Sequence, residues 1–337
     1  MHRTYRPINH PISSLHIMLE HLVCEVWCNA SADNTCQELL SEEFEIIYLA
    51  YQWLKKDINA VYEKCKTLDD KQRADIREAF YINNRIEDLC NGEIQPIEFA
   101  SLPEFVEEDI QPLMKLFYTP LLDRATVPGD KLDYYNLLVQ ENGYKTCPCC
   151  GLVKIESPET RYTEDNDHFF PIAHYPFAAV NFKNLVPACD KCNKKHKGSK
   201  KPLDHNGVAY YAFANRQPIE INITIADNAD LDYSALKADD IQLSFSEDPD
   251  KNATWNWLFN IEERYNQEVR DLSFNELRTL KRRFIFNKDR NPGTLYEDVL
   301  DFEIANYEAD IYDEKKFLKA SFLKAIKQKP EWMAVYV

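Results

Sequence analysis

The chain has little glycine and no long apolar run. Seven glycines among 337 residues, with no low-complexity segment, argue against long flexible linkers. No apolar stretch approaches the ~20 residues that span a bilayer. The best candidate, residues 44–54, is shorter and contains Glu45. The first residues include His2, Arg3 and Arg6 and lack the apolar core of a signal peptide. These absences predict a globular cytoplasmic protein with no membrane segment.

Internal repeats and glycine-rich phosphate loops are also missing, which excludes a nucleotide-driven motor within this chain. What is present fits a folded protein, since 45% of the residues are hydrophobic and 12% are aromatic. At this length the chain can bury two cores, or one core with large additions.

The charge is unevenly distributed. The whole chain carries −16, but residues 145–201 contain ten basic and six acidic side chains, so that this segment carries +4 and the remainder −20. A basic cluster follows the last cysteines: Lys194, Lys195, Lys197, Lys200 and Lys201. Such a cluster favours phosphate contacts. The acidic remainder would repel nucleic acid elsewhere, and it either meets a basic partner protein or simply keeps the chain in solution.

Two Cys-x-x-Cys pairs, Cys147/Cys150 and Cys189/Cys192, lie within this basic segment. Each pair can form a tight turn that directs two sulfurs at one point, and four thiolates complete a tetrahedral Zn²⁺ site. A disulfide is the weaker interpretation, because a cytosolic chain keeps its thiols reduced. The simplest alternative is a small module that zinc stabilises and that has no catalytic activity. Elsewhere, Cys24 and Cys28 have helical spacing and are interpreted as buried apolar cysteines.

Three polar motifs lie between and beside the cysteine pairs. Asp167-His168-Phe-Phe-Pro comes first, Asn184-Leu-Val-Pro follows, and Asn193 directly succeeds the last cysteine. This order resembles the zinc-stapled form of the HNH family of ββα-metal nucleases, whose pattern ends in Cys-Asn-x-x-(x)-Lys. The resemblance covers about 55 of the 337 residues, and the flanking regions carry no such signal.

The resemblance implies a role for each polar residue. His168 would be the general base, since imidazole has an unperturbed pKa near ~6.5. Asp167 and Asn193 would hold a hard divalent cation, for which this oxygen-rich set suits Mg²⁺ or Mn²⁺ better than a second zinc. Asn184 would hold the loop and orient His168 through a hydrogen bond.

Two further histidines lie near the motif. His196 could be an additional ligand, although a solvated helix residue is the preferred interpretation. His174 follows Pro171 in a loop and contacts phosphate or nothing.

The Asp-His pair also sets a geometric requirement for the strand that carries it. Adjacent residues on a regular strand point to opposite faces, so the strand should twist or end at Asp167 and His168 if both serve one site.

The sequence predicts an α+β chain that is mainly helical, in three parts. Residues 1–140 form a helical region, residues 141–205 a zinc-bound ββα-metal module with a treble-clef-like core, and residues 206–337 a mixed region of strands followed by helices. Apolar periodicity predicts helices over these ranges: 15–28, 42–66 with Ser41 as N-cap, 70–90 and 133–142 closed by Gly143.

After residue 205 the sequence pattern changes from helical periodicity to segments rich in β-branched and aromatic residues. Partial alternation predicts strands over these ranges: 208–213, 219–225 and 241–245. Ser273 to Glu276 has the form of a capping box that opens a helix, and Asp313 is predicted to cap the last helix, 314–328. The first of these helices carries a second basic stripe, formed by Arg278, Lys281, Arg282, Arg283 and Lys288, which either extends a nucleic-acid track or pairs with acidic segments.

The resemblance therefore indicates a metal-dependent HNH endonuclease acting on DNA. Its Asp-His-Phe-Phe-Pro and Asn-Phe-Lys-Asn-Leu-Val-Pro segments are similar to HNH proteins of bacterial antiphage systems, some of which act beside an ATPase subunit, as in Septu-like systems. Two alternatives stay open. One is a zinc-stabilised subunit that binds nucleic acid or a partner without catalysis, and the other is a nuclease directed at RNA.

Overall fold

The protein is described by a computed structural model that covers residues 1–158, 160, 163–230, 236–311 and 313–329. The chain divides into two compact units, each built from segments that are distant in the sequence. The first unit comprises Thr4–Gly143 and Ile155–Arg216, and the second comprises Met1–Arg3, Tyr144–Lys154 and Gln217–Val337. The three-part division near residues 140 and 205 stays a prediction.

Helices make up most of the first unit. They are α1 (Ser14–His21), α2 (Glu42–Ala50), α3 (Gln52–Cys65), α4 (Asp70–Asn83), α5 (Ile86–Asn91), α6 (Gln111–Tyr118) and α7 (Lys131–Asn142). Three π-helical turns extend or connect them: Leu22–Val26, Val106–Ile110 and Lys191–Lys197. Short 3₁₀ turns complete this part of the unit: Pro11–Ser13, Trp27–Asn29, Gln37–Leu39, Phe99–Ser101, Leu121–Asp123 and Pro176–Ala178.

Local signals in the sequence explain several of these boundaries. The Ser41 hydroxyl accepts a hydrogen bond from the Phe44 N–H and begins α2, as predicted. The predicted helix over 42–66 is divided, because Tyr51 is extended (φ −125°, ψ 103°) between α2 and α3. Gly143 ends α7 with φ +62°, a left-handed conformation that glycine adopts without a steric cost.

A two-stranded antiparallel sheet precedes the last π-helical turn of the first unit. Its strands are β1 (Asn166–His168) and β2 (Leu185–Pro187), with Asp167 opposite Val186. Strand, strand and helical turn thus follow one another in the order expected of the predicted module. The strand ends at His168, which agrees with the prediction that it should end or twist there.

Residues 208–213 do not form the predicted strand. They lie in irregular structure, although their aromatic side chains are buried. Single backbone hydrogen bonds tie them to other segments: the Ala209 N–H donates to the Cys90 carbonyl, and Ala212 accepts from the Tyr5 N–H. All of residues 209–213 are buried, and among the described residues no strand pairs with them, so their apolar character reflects burial without a sheet.

The described part of the second unit combines a sheet with helices. Strands β3 (Ile221–Ile225) and β4 (Ile241–Phe245) pair antiparallel, as two of the three predicted strands. A 3₁₀ turn, Ala238–Asp240, precedes β4. The helices are α8 (Pro249–Phe259), α9 (Ile261–Arg290), α10 (Tyr296–Glu308) and α11 (Lys316–Lys327). The mainly helical α+β class is confirmed, and none of the helices in the described residues is long and apolar enough to cross a membrane.

Two predicted helix starts in the second unit are wrong. Ser273 is buried inside α9, where its hydroxyl donates to the Arg270 carbonyl, one turn earlier. The apolar period of α9 runs through this position, so the helix continues. The last helix begins at Lys316 rather than at residue 314, and the Asp313 carboxylate pairs with Lys145 instead of capping it.

Candidate functional site

Four buried cysteines form the one group of metal-ligating side chains found in the part of the chain that the structure describes. The sulfurs of Cys147, Cys150, Cys189 and Cys192 lie within 4.8 Å of one another. Around a tetrahedral Zn²⁺ with bonds of about 2.3 Å, sulfurs stand roughly 3.8 Å apart. The cluster therefore fits zinc after a small contraction, and these side chains could hold such a metal.

The turn at the first cysteine pair has a backbone conformation that suits a metal-binding turn. Gly151 has φ +68°, and its N–H donates to the Cys147 carbonyl over 2.7 Å. A side chain at this position would also collide with His2, whose Nδ1 lies 2.7 Å from the place of a Cβ. The Leu152 N–H points at the Cys150 sulfur over 3.5 Å, which stabilises a thiolate there.

The second pair forms the corresponding turn at the start of the π-helical segment. The Cys189 carbonyl accepts from the N–H groups of both Cys192 and Asn193, each over 2.9 Å. By contrast, Cys24 and Cys28 behave as predicted for apolar cysteines: burial raises the pKa of Cys28 to about 11 and that of Cys24 to about 12.

Strand β1 and the π-helical turn bring the predicted general base and the two predicted ligands of the catalytic cation to one cavity of about 440 Å³. Asp167, His168 and Asn193 line it, together with Tyr118 and Lys197. Asp167 lies within the strand and His168 at its end, and Asn193 comes from the first turn after the cysteines. The structure thus places together residues that are up to 26 positions apart in the sequence.

The imidazole of His168 is anchored with one nitrogen available as a base. Its Nε2 lies 2.9 Å from the Ala179 carbonyl oxygen. A carbonyl can only accept, so Nε2 carries the proton and the lone pair lies on Nδ1. Burial lowers the pKa of His168 to about 4, against the opposing effect of the Ala179 carbonyl, and the ring is therefore neutral at pH 7. Tyr118 packs edge-on against the ring at 4.4 Å.

Asn184 holds the loop but does not bond to His168 directly. Its fully buried side chain accepts from the Phe170 N–H over 2.7 Å and donates to the carbonyls of Phe170 and Ala178. Ala178 directly precedes the residue whose carbonyl anchors His168. Asn184 thus positions the backbone around His168, whereas the His168 ring donates its hydrogen bond to the Ala179 carbonyl and not to Asn184, which the resemblance had implied as its partner.

The sequence did not predict that Lys197 is buried and paired with Asp167. Its side chain is only 1% exposed, and its Nζ donates to Asp167 Oδ1 over 2.8 Å and to the His168 carbonyl over 2.7 Å. In this conformation it is not part of the exposed basic surface, as the predicted phosphate contact would require. The ammonium instead neutralises the carboxylate of the Asp-His pair and ties the end of β1 to the helical turn.

The other predicted phosphate-contacting lysines lie nearer the surface. Lys194 pairs with Asp165 and Asp190, and Lys201 pairs with Glu98 and, more loosely, with Asp204. Lys195 is exposed, and burial lowers the pKa of the half-buried Lys200. Neither His174, which is exposed, nor His196, which is half-buried, lines the cavity.

Removal of the Lys197 charge should destabilise the protein strongly. Lys197→Met leaves the Asp167 carboxylate buried without its cation, and loss of one partner of a buried pair costs about 3–5 kcal/mol. Lys194→Met is the matched control on the same turn, because its ion pairs are exposed and worth about 0–1 kcal/mol. Denaturant unfolding of both variants measures the difference, and equal midpoints would refute a structural role for the buried pair.

Part of the chain is similar to two curated proteins. It is 36% identical over 83 residues to Protein ea31 of Escherichia phage lambda, which covers 25% of this chain and 25% of that protein. It is also 36% identical over 73 residues to Septu protein PtuB of Bacillus thuringiensis, which covers 21% of this chain and 27% of that protein. The chain thus spans about a quarter of the length of the curated relatives it matches. No family model matches the chain, and no solved structure matches it.

Proposed function

We propose that this protein is a metal-dependent endonuclease of the HNH type that hydrolyses phosphodiester bonds of DNA. The observation that carries the proposal is the geometry of His168. Its Nε2 is anchored to a backbone carbonyl, it is neutral at pH 7, and it lines one cavity with Asp167 and Asn193. An anchored neutral imidazole beside two oxygen donors is what activation of a water for attack on phosphorus needs.

The roles within the cavity follow from the donors present. His168 would accept the proton of the attacking water at Nδ1, while the Ala179 carbonyl stabilises the imidazolium that forms. Asn184 would keep that carbonyl in place through its bonds to the loop backbone. Tyr118 limits the rotation of the ring.

Asp167 and Asn193 would hold the divalent cation, Mg²⁺ or Mn²⁺. When bound, this cation would polarise the scissile phosphate and stabilise the departing 3′ oxygen. The donor set fits a hard cation, with one charged and one neutral oxygen. Lys197 already engages one oxygen of Asp167, so its ammonium would share this carboxylate with the metal.

The surface lysines would position the nucleic-acid backbone. Lys195 is exposed, and Lys194, Lys200 and Lys201 complete the basic group that follows the last cysteine. The ion pairs of Lys194 and Lys201 are exposed and weak, so phosphates can compete for these side chains. Binding should weaken steeply as the salt concentration rises.

For the biological setting, we propose an effector of a bacterial antiphage system. The similarity to the Septu protein PtuB supports this part of the proposal, although it covers only 21% of the chain. The proposed partner is an ATPase subunit, as in the Septu-like systems whose HNH proteins the Asp-His-Phe-Phe-Pro motif resembles.

A binding subunit without catalysis is the second candidate. The Lys197–Asp167 ion pair favours it, because a carboxylate that is already neutralised attracts a divalent cation less strongly. In that case the zinc cluster and the surface lysines would bind nucleic acid, and the Asp-His pair would be a structural element.

Cleavage assays on defined substrates separate these functions. Supercoiled plasmid and labelled RNA are each incubated with Mg²⁺, Mn²⁺ or EDTA. We expect nicked or linear DNA with the divalent cations and none with EDTA. Cleavage of RNA alone would move the substrate to RNA. Binding of DNA without cleavage under any of these conditions, also after co-purification with a partner, would favour the binding subunit.

A further inference from the structure

A second cavity, of about 690 Å³, lies in the second unit between the last turns of α9 and the start of α10. The side chains on its α9 wall include Arg282, Phe286 and Arg290, and Phe302 contributes from α10. Asn287 is also among the lining residues. None of these residues belongs to the cavity of Asp167 and His168, and the proposed nuclease mechanism uses none of them.

The aromatic rings of this cleft are unusually exposed. Phe286 is 56% and Phe302 67% exposed, whereas large apolar side chains are normally buried. The Arg290 guanidinium lies 3.4 Å from the centroid of the Phe286 ring. Two exposed rings and a stacked guanidinium on the walls of one cleft form a surface that planar groups can stack on.

The charge of the cleft is positive once the internal ion pairs are taken into account. Residues 281–290 contain five basic side chains and one acidic side chain. The acidic residues of α10 that pair with a cation are Glu297 and Asp301 with Lys327, Glu303 with Arg283, and Glu308 with Lys324. Asp298, which also lines the cleft, accepts a hydrogen bond from the Leu295 N–H, so the lining side chains carry three positive and two negative charges. Among the described residues, Arg282 and Arg290 have no acidic partner, so two exposed guanidinium groups are left for an anionic ligand.

We propose that this cleft binds single-stranded nucleic acid. Phe286 and Phe302 stack on bases, and Arg282 and Arg290 contact the phosphates between them. Stacking on exposed aromatic rings selects unpaired bases, because the faces of paired bases are covered within a duplex. Guanidinium groups beside the rings supply the electrostatic attraction that follows the backbone.

The proposal concerns binding alone and does not rest on the nuclease activity. It is tested with the full zinc-bound chain carrying His168→Ala, in buffer without added Mg²⁺ or Mn²⁺, so that no substrate is cleaved. The probes are a fluorescent 20-residue oligothymidine, the matching oligouridine and a DNA duplex of the same length. Fluorescence anisotropy gives Kd for each.

Loss of the rings should weaken binding of the single strand. For Phe286→Ala combined with Phe302→Ala we expect Kd for oligothymidine to rise about a hundredfold, since base stacking on each of the two rings contributes roughly a factor of ten. Kd for the duplex should be unchanged. Phe274→Ala is the matched control: this ring is also exposed on α9, with Arg278 at 5.4 Å, but it lies outside the cleft. The control should keep the original Kd.

The arginines are tested through the salt dependence. Arg282→Gln combined with Arg290→Gln should reduce the slope of log K against log salt concentration by about 1.4, which corresponds to two phosphate contacts on a single strand. If the variants lose affinity equally for oligothymidine and oligouridine, both DNA and RNA single strands are ligands of the cleft. If they lose affinity for one of the two only, that strand is the ligand. Both results support the proposal.

Three outcomes would overturn it. The first is an unchanged Kd for the single strand in both double variants. The second is a loss that is equal for single strand and duplex. The third is a change confined to the elution volume in size-exclusion chromatography, with Kd unaltered, which would assign the exposed rings to a protein interface. Circular dichroism confirms that each variant is folded, as expected for exposed positions.

Discussion

His168→Ala is expected to reduce metal-dependent DNA cleavage by a factor of about 10²–10⁴, the contribution of a positioned general base. The proposed base is Nδ1, whose lone pair is defined by the hydrogen bond from Nε2 to the Ala179 carbonyl. Alanine removes both nitrogens and leaves Asp167 and Asn193 in place. Cleavage should therefore fall while binding of the DNA, measured in EDTA, is retained. Rates of plasmid nicking under single-turnover conditions provide the measurement.

His21→Ala is the matched control for this substitution. His21 also directs Nε2 at a backbone carbonyl, that of Leu39, over 2.9 Å, but it lies at the end of α1 and does not line the cavity. Both variants lose one hydrogen bond to a carbonyl, worth about 1 kcal/mol of stability. If His21→Ala loses as much activity as His168→Ala, the effect is one of stability and the assignment of a base fails. Cleavage by His168→Ala at the original rate would contradict the assignment outright.

The sequence predicts the convergence of the cysteines and several helix and strand ends well, because these features depend on the type of side chain at particular positions. The four cysteines converge as their spacing indicated, and the Asp-His pair lies at the end of a strand. Ser41 and Gly143 begin and end their helices through interactions of neighbouring residues. The caps and each Cys-x-x-Cys turn depend on a few positions close together in the chain, and the convergence of the two distant cysteine pairs follows from their shared metal-ligand spacing.

Features that depend on the backbone or on distant packing could not be predicted in the same way. The acceptor that anchors His168 is the carbonyl of Ala179, and any residue could supply it. Lys197 reaches Asp167 from a π-helical turn, whose wider spacing per turn is not encoded by an apolar period. Ser273 satisfies its hydroxyl inside α9, since the apolar face on both sides continues the helix.

Loss of one cysteine ligand should have the largest effect on the fold. For Cys189→Ser we expect the zinc content to fall from about one ion per chain to none, because three thiolates hold zinc much less tightly than four. Structural zinc contributes about 10–16 kcal/mol in small zinc-binding peptides at pH 7, which is comparable with the whole stability of a domain. The thermal unfolding midpoint should therefore decrease strongly. Elemental analysis and circular dichroism give the two quantities.

Cys149→Ala is the control that separates ligation from burial. Cys149 lies between two ligands and is equally buried, but its sulfur contacts the Met1 sulfur at 3.4 Å and is not part of the cluster. Its loss removes a small apolar group, so the zinc content should stay at about one and the midpoint should change by a few degrees only. Zinc retained in Cys189→Ser, or lost equally in both variants, would mean that these four sulfurs do not form the metal site.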